Sequence, residues 1–326
     1  MPLPNFLIVG AAKAGTTSLS TYLGAHPNVF VSTPSEPKFL TSGFLEFPHQ
    51  GPGDAEIDAG VVRDLQSYRQ LFAGTEDIEA RGEASADLLY YHRRSIPVVK
   101  DLLGDPKIIA ILRDPVERAF SAYKFLVGLG RETRSFGEAL AAEPRRLEEN
   151  WEFIWAYRGA SLYAQAVEAY QDAFSNVLVL LLDDLKTKPR KTVEGALEFL
   201  GVRAVVSTDV NKVHNESRAP RSDRLAEWRA AQSGGVANVL NIGRTLAPEG
   251  VKRFVRQQLD RWNGQGPTMG SIQRQRLAAS FRKDVKQLER VIDRDLNSWS
   301  TNSHLQEILS HLQFPLRNGW TSDDVN

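Results

Sequence analysis

Residues 5–24 read NFLIVGAAKAGTTSLSTYLG, and no other stretch narrows the fold as far. An apolar β-type run from Asn5 to Val9 empties into a loop bracketed by Gly10 and Gly15. A helix follows, opening on Thr16, Thr17 and Ser18. A strand, a glycine loop and a helix in that order form the first half of a parallel crossover unit. The bracket of four residues has the G-x-x-x-x-G spacing of a phosphate-binding loop, whose amides and following helix N-terminus hold anionic oxygens. Nucleoside-triphosphate loops carry lysine directly after the second glycine. Here that position is Thr16, and the loop's lysine, Lys13, lies inside the bracket. The arrangement suits one phosphate with a cationic neighbour; on the loop alone, a plain strand-to-helix turn with a solvated lysine also stands.

Further β-type runs alternate with helical patterns, the mark of parallel strands joined by crossover helices. Lys107 to Leu112 (KIIAIL) and Asn176 to Leu182 (NVLVLLL) read, with Asn5 to Val9, as central strands buried on both faces. Ser67 to Gly74 reads as a helix leading to a fourth strand, Asp77 to Glu83. Arg190 to Gly201 reads as an amphipathic helix stopped by glycine. Leu277, Phe281, Val285, Leu288 and Ile292 recur at helical spacing, predicting a late helix that packs back on the domain. Thr41 to Ala59 has Pro and Gly punctuation without a period, and reads as a long excursion near the strand ends that shapes a substrate mouth. The fold class is therefore α/β, a P-loop-like three-layer fold with a central, mostly parallel sheet flanked by helices. With no internal repeat, low-complexity tract or linker, residues 1–326 are expected to form a single domain.

Charge and composition remove several classes of function. Forty Lys and Arg balance forty Asp and Glu, so no global basic field draws the chain to nucleic acid or an anionic membrane. The absence of cysteine excludes disulfides, thiolate metal sites and cysteine nucleophiles, and fits a reducing compartment. No window approaches a membrane span, and the six histidines form no pair with ligand spacing. The reading is a soluble, cytoplasmic protein without a metal site, and nothing in the pattern speaks to oligomeric state.

A second element follows KIIAIL. In RDPVERAFSAYKF, Asp114 suits a helix cap and Pro115 its first turn, so Arg113 ends the strand where open α/β sheets bind ligands. Ser121 lies two turns further on. A guanidinium and a helical hydroxyl make a fork-plus-hydroxyl receptor for phosphate. The alternative is a surface arginine paired with Glu117 and a serine on a solvated face.

Taken together, VGAAKAGTTSL and LRDPVERAFSAY resemble the paired cofactor signature of the sulfotransferases that use 3′-phosphoadenosine 5′-phosphosulfate (PAPS). The chain is most similar to bacterial members and to the glycan O- and N-sulfotransferase branch. HPNVFVSTPSEPKFL, GEASADLLYY, YRGASLYAQAVEAYQDAF, VLVLLLDDLKTKPRKTVEGALEFLGV and HNESRAPRSDRL continue the resemblance in family order, from about Asn5 to about Leu225. It implies PAPS as cosubstrate, no metal, and a small-molecule or glycan acceptor. Lys13 would meet the bridging oxygen or the transferring sulfonate. Amides near Ala14, Gly15, Thr16, Thr17 and Ser18 would hold the 5′-phosphate. Arg113 and Ser121 would grip the 3′-phosphate, with Arg218 in a closing loop. Glu36, in an E-x-x-F setting, matches the catalytic carboxylate of the glycan branch. Glu83 is the second candidate, matching the glutamate of an E-K-[ST]-P pattern.

The departures carry information too. Ala84 stands where glycan members have lysine and Ala86 where they have proline, which argues against a heavily sulfated polysaccharide acceptor. Acceptor choice is expected to reside in Thr41 to Ala59 and between Glu132 and Trp155. Two other readings compete. A P-loop kinase or NTPase using ATP and Mg²⁺ would take Asp183, after VLVLLL, as its metal-holding acid. A catalytically silent nucleotide-binding module is the other. Tyr163 and Tyr170, seven apart, read as core, and His26 before Pro27 as structural.

Overall fold

The computed structural model describes residues 2–203 and 267–300. Strands β1 (Phe6–Gly10), β2 (Val29–Val31), β3 (Ala80–Glu83), β4 (Lys107–Leu112) and β5 (Val177–Leu181) form one sheet in the order β2-β3-β1-β4-β5. Every pairing is parallel, with Phe6 opposite Lys107 on one side and Gly82 on the other. Helices follow the strands in chain order: α1 (Thr16–Gly24), α2 (Phe39–Ser42), α3 (Asp54–Asp58), α4 (Leu65–Gln70), α5 (Asp87–Tyr90), α6 (His92–Leu103), α7 (Pro115–Gly128), α8 (Phe136–Glu148), α9 (Ala164–Ala173), α10 (Leu182–Thr187), α11 (Pro189–Leu200) and α12 (Ser271–Ile292).

The alternation of side chains along a strand divides the core into two layers. Phe6 and Ile8 of β1, with Ile109 and Ile111 of β4, pack on Leu19 and Leu23 of α1 and on Val193 and Leu197 of α11. Leu7 and Val9, with Ile108, Ala110 and Leu112, face Leu89, Val99, Ala119, Tyr123 and Val167 of α5, α6, α7 and α9. A strand enclosed on both faces has no solvent side, which is why these runs are continuously apolar. As the spacing predicts, α12 buries Leu277, Phe281, Val285 and Leu288. Its Asp284 accepts the backbone N–H groups of Tyr163 and Ala164 at 2.9 and 3.1 Å. No helix among the described residues is long and apolar enough to cross a membrane.

Several sequence expectations need correction. The run 176–182 is an edge strand, half-buried from Val177 to Leu180, and Leu182 already belongs to α10. Its unbroken apolar character comes from contact with β4 and the flanking helices rather than from enclosure between two neighbours. β3 begins only at Ala80, and the helix read over 67–74 is α4, ending in turns that reach Gly74. The excursion 41–59 contains α3 as well as the end of α2. The two-residue polar spacing inside DAEID gives no helical period, so α3 was invisible to a pattern search.

Candidate active site

All five strands point their C-terminal ends to one edge of the sheet, and the order reverses around β1, where open α/β sheets place their ligand crevice. The chain leaves β1 there as the glycine loop, tied to β4 by Ala11 N–H donating to Ile111 O at 2.8 Å. Lys13 adopts φ 66° and Gly15, the N-cap of α1, φ 98°. The positive φ of Gly15 favours glycine, and a Cβ there would lie 2.7 Å from the Leu182 Cδ1 methyl, which would have to move aside. Gly15 brings no side chain to cap α1, and the helix's first turn is the positive end of its dipole. The Lys13 ammonium lies 3.9 Å over the Phe125 ring. Burial lowers it to about 8; Glu36 pulls it back up, while Arg113 and Arg118 push it further down.

Asp114 caps α7 by accepting the N–H groups of Val116 and Glu117 at 2.8 and 3.0 Å, with Pro115 at the first position, as the sequence reading expects. Arg113 therefore stands at the head of β4 beside the loop, donating to Lys13 O at 3.2 Å. Its approach to Glu117 is long, 3.5 Å, because Glu117 is engaged by Arg274 of α12. Ser121 is buried on α7. Sequence reasoning missed Arg118. Its guanidinium is completely buried, donates to the carbonyls of Ala156 and Tyr157, and leaves Nε and Nη1 without partners. Lys13, Arg113 and Arg118 thus concentrate positive charge beside the α1 N-terminus. That setting fits an anion carrying phosphate-like groups at more than one position.

Acidic groups gather on the other side of the loop. Glu36, after β2, is raised to about 7 by burial and by Asp87 and Glu152, against the pull of Lys38 and Lys13. Glu83, the last residue of β3, is fully buried and also raised to about 7, by burial first, then by Asp87 and Glu36; the hydroxyls of Tyr68 and Ser85 oppose this. Neither Glu83 oxygen reaches hydrogen-bond geometry with them. Glu83 is thus closed off from solvent, while Glu36 shares its field with Lys13. The sequence reading also overlooked Lys38, Asp87 and Glu152. Lys38 donates to Glu152 at 2.5 Å; burial would lower its pKa, but Glu152, Asp87 and Glu36 together raise it. The one signal for Lys38 was its place two residues after Glu36.

The two segments expected to govern acceptor choice are bound to each other. Asp54 of α3, wholly buried, accepts Trp155 Nε1 at 3.0 Å, Glu152 N–H at 2.9 Å and an ion pair from Arg131. Behind it, Arg146 grips Glu132 through two bonds of 2.6 and 3.0 Å, and Tyr157 adds a third at 2.9 Å. A small pocket between these segments is lined by Lys38, Asp87 and Glu152 together with aromatic walls.

Other candidates separate cleanly. Tyr163 and Tyr170 are core, as expected. His26 is a turn residue, its ring bonded to Asn28 N–H and Arg203 O, both at 3.1 Å. Asp183 is exposed in the first turn of α10, whose Leu182 packs against Gly15 of the loop. Arg218 lies outside the described residues.

Comparison with known proteins agrees with this geometry. A protein-family model described as Sulfotransferase family matches residues 4–205. The human bifunctional heparan sulfate N-deacetylase/N-sulfotransferase 3 is 27% identical over 206 residues, covering 61% of this chain and 22% of that protein. The mouse heparan sulfate glucosamine 3-O-sulfotransferase 3A1 is 26% identical over 263 residues, covering 79% and 59%. The chain thus spans less than two thirds of either relative, about a fifth of the first. The crystal structure of a sulfotransferase from Alicyclobacillus acidocaldarius superposes with a TM-score of 0.71 at 32% identity, covering 92% of this chain and all of that one.

Proposed function

The chain belongs to the sulfotransferase family, and from that premise we propose that it moves a sulfuryl group from PAPS to a hydroxyl or amine, with Glu36 as base. The acceptor would be a carbohydrate, a lipid or a small metabolite. When bound, the donor supplies the sulfuryl group: the acceptor's bond to sulfur forms, the bond from sulfur to the bridging oxygen breaks, and its electron pair leaves on adenosine 3′,5′-bisphosphate. Glu36 takes the acceptor's proton, a role that burial assists by raising its basicity. Lys13 offers the positive charge that offsets the developing negative charge on the leaving side. The amides from Ala14 to Ser18 would hold the 5′-phosphate, and Arg113 with Ser121 the 3′-phosphate.

The observation that carries this reading is the opposed pair itself. A half-buried ammonium in the loop and a half-buried carboxyl after β2 sense each other's charge, and desolvation shifts them toward one another, to about 8 and about 7. Titratable groups shifted this far from their ordinary values, in a crevice and within each other's field, are candidates for acid and base chemistry. Calorimetric titration tests the cosubstrate. Saturable binding of adenosine 3′,5′-bisphosphate, without magnesium-dependent ATP hydrolysis, is expected. ATP turnover that survives Lys13→Ala, or no bisphosphate binding, would transfer the assignment to a kinase or NTPase.

A further inference from the structure

Arg113 stands between two acceptors that belong to the protein itself. Its Nη1 donates to Lys13 O at 3.2 Å, and its Nη2 faces Glu117 Oε2 at 3.5 Å, the outer limit of a hydrogen bond. Glu117 lies in the first turn of α7, where the positive end of the helix dipole favours a carboxylate. The same carboxylate competes with an incoming phosphate for the Arg113 N–H groups. Its side chain is 33% exposed, so losing a cation to the phosphate would leave a largely buried charge unpaired.

A residue far along the chain removes that conflict. Helix α12 packs on α7, with Leu277 and Phe281 in the same apolar core as Ala119, Phe120 and Tyr123. Arg274, three residues before Leu277, pairs with Glu117 through the other oxygen, Oε1. Burial would raise the Glu117 carboxyl, but the bond and charge of Arg274 hold it below its ordinary value, ahead of Arg113 and Lys124. Glu117 therefore keeps its main cation when Arg113 turns away.

We propose that Arg274 is a positioning residue for the nucleotide: by holding Glu117, it leaves Arg113 free to turn from the Lys13 carbonyl to the 3′-phosphate. This rests on the reading of Arg113 as the 3′-phosphate ligand, and the test separates the two. Adenosine 3′,5′-bisphosphate and AMP, which lacks the 3′-phosphate, are titrated calorimetrically into the full chain and its variants. Arg274→Met should weaken the bisphosphate about three- to fivefold, the worth of a partly exposed ion pair turned against the ligand, with AMP affinity within about twofold. Adding Glu117→Gln to Arg274→Met should restore the bisphosphate to within about twofold of the unaltered protein, because no carboxylate is left to hold Arg113. In an Arg113→Ala background, Arg274→Met should cost less than about twofold further, since it acts through that arginine alone. Glu117→Gln by itself should bind the bisphosphate at least as tightly as the unaltered protein, and it carries the test should Arg274→Met fail to fold. Arg274→Met without effect, an equal loss for AMP, no rescue by Glu117→Gln, a full loss repeated in Arg113→Ala, or weaker binding in Glu117→Gln alone would each overturn the role of Arg274. Bisphosphate affinity independent of Arg113 would overturn the 3′-phosphate assignment, and the proposal with it.

Discussion

The pH profile of transfer is where the geometry makes its sharpest demand. Glu36 must be a carboxylate to accept a proton, and burial has raised it from 4.5 to about 7. Lys13 must be an ammonium to offset the leaving charge, and burial has lowered it from 10.5 to about 8. The signs are opposite. Activity rises with pH as Glu36 ionises, then falls as Lys13 loses its proton. At one pH unit below the first value or one above the second, about a tenth of the required form remains, so the rate should drop about tenfold on each side. The assay is the initial rate at limiting PAPS, read as kcat/KM for the donor between pH 5.5 and 10 (roughly the span over which these groups titrate). Groups at their ordinary values would instead leave a plateau between 4.5 and 10.5. Glu36→Gln should lower kcat about 10²–10⁴-fold and erase the acid limb, since an amide cannot take the proton. A flat profile from pH 6 to pH 9 (about one unit beyond each value), or an acid limb that persists in Glu36→Gln, refutes the assignment of these two groups.

Further tests reach the rest of the site and the fold. Arg113→Ala should weaken adenosine 3′,5′-bisphosphate by about 10–100-fold, the worth of a charged hydrogen bond, while leaving AMP affinity unchanged, as measured by calorimetry. Equal losses for both nucleotides would separate Arg113 from the 3′-phosphate. Gly15→Ala should destabilise by about 1–3 kcal/mol, through the left-handed conformation and the approach to Leu182, and an unaltered thermal midpoint would contradict this. Glu132→Gln leaves Arg146 buried without its charge partner and should cost about 3–5 kcal/mol in urea unfolding. Burial pushes the Glu132 carboxyl up, but Arg146, Tyr157 and the Arg134 N–H hold it below its ordinary value. Its contribution is therefore present above the usual carboxylate range and lost as pH falls through the folded value; a Glu132→Gln deficit that is unchanged at low pH contradicts the pairing.

Much of the scaffold was legible because local signals agreed with tertiary demands. The Gly10 and Gly15 bracket, the Asp114 and Pro115 start of α7, and the Gly201 stop of α11 each encode a backbone requirement in residue type, and all three appear where the sequence put them. β5 was read as central because apolar runs report contact, which an edge strand covered by helices also has. β2, three residues long, carries too few side chains for any period. On the candidate site, Lys13 and Arg113 stand out by motif spacing, and Glu36 only through the family resemblance. Lys38, Asp87, Glu152 and Arg118 do not stand out, since their meaning lies in burial and in partners far along the chain: Lys38 with Glu152, Thr41 with Asp87, Arg118 with Ala156 and Tyr157. No one-dimensional pattern records such pairings.

The most direct measurement is a crystal structure of this chain with adenosine 3′,5′-bisphosphate. It should place the 5′-phosphate on the Ala14 to Ser18 amides with Lys13 turned toward it, and the 3′-phosphate between Arg113 and the Ser121 hydroxyl. A nucleotide seated elsewhere on the protein, or bound at the loop with Arg113 still turned to the Lys13 carbonyl, would contradict the account.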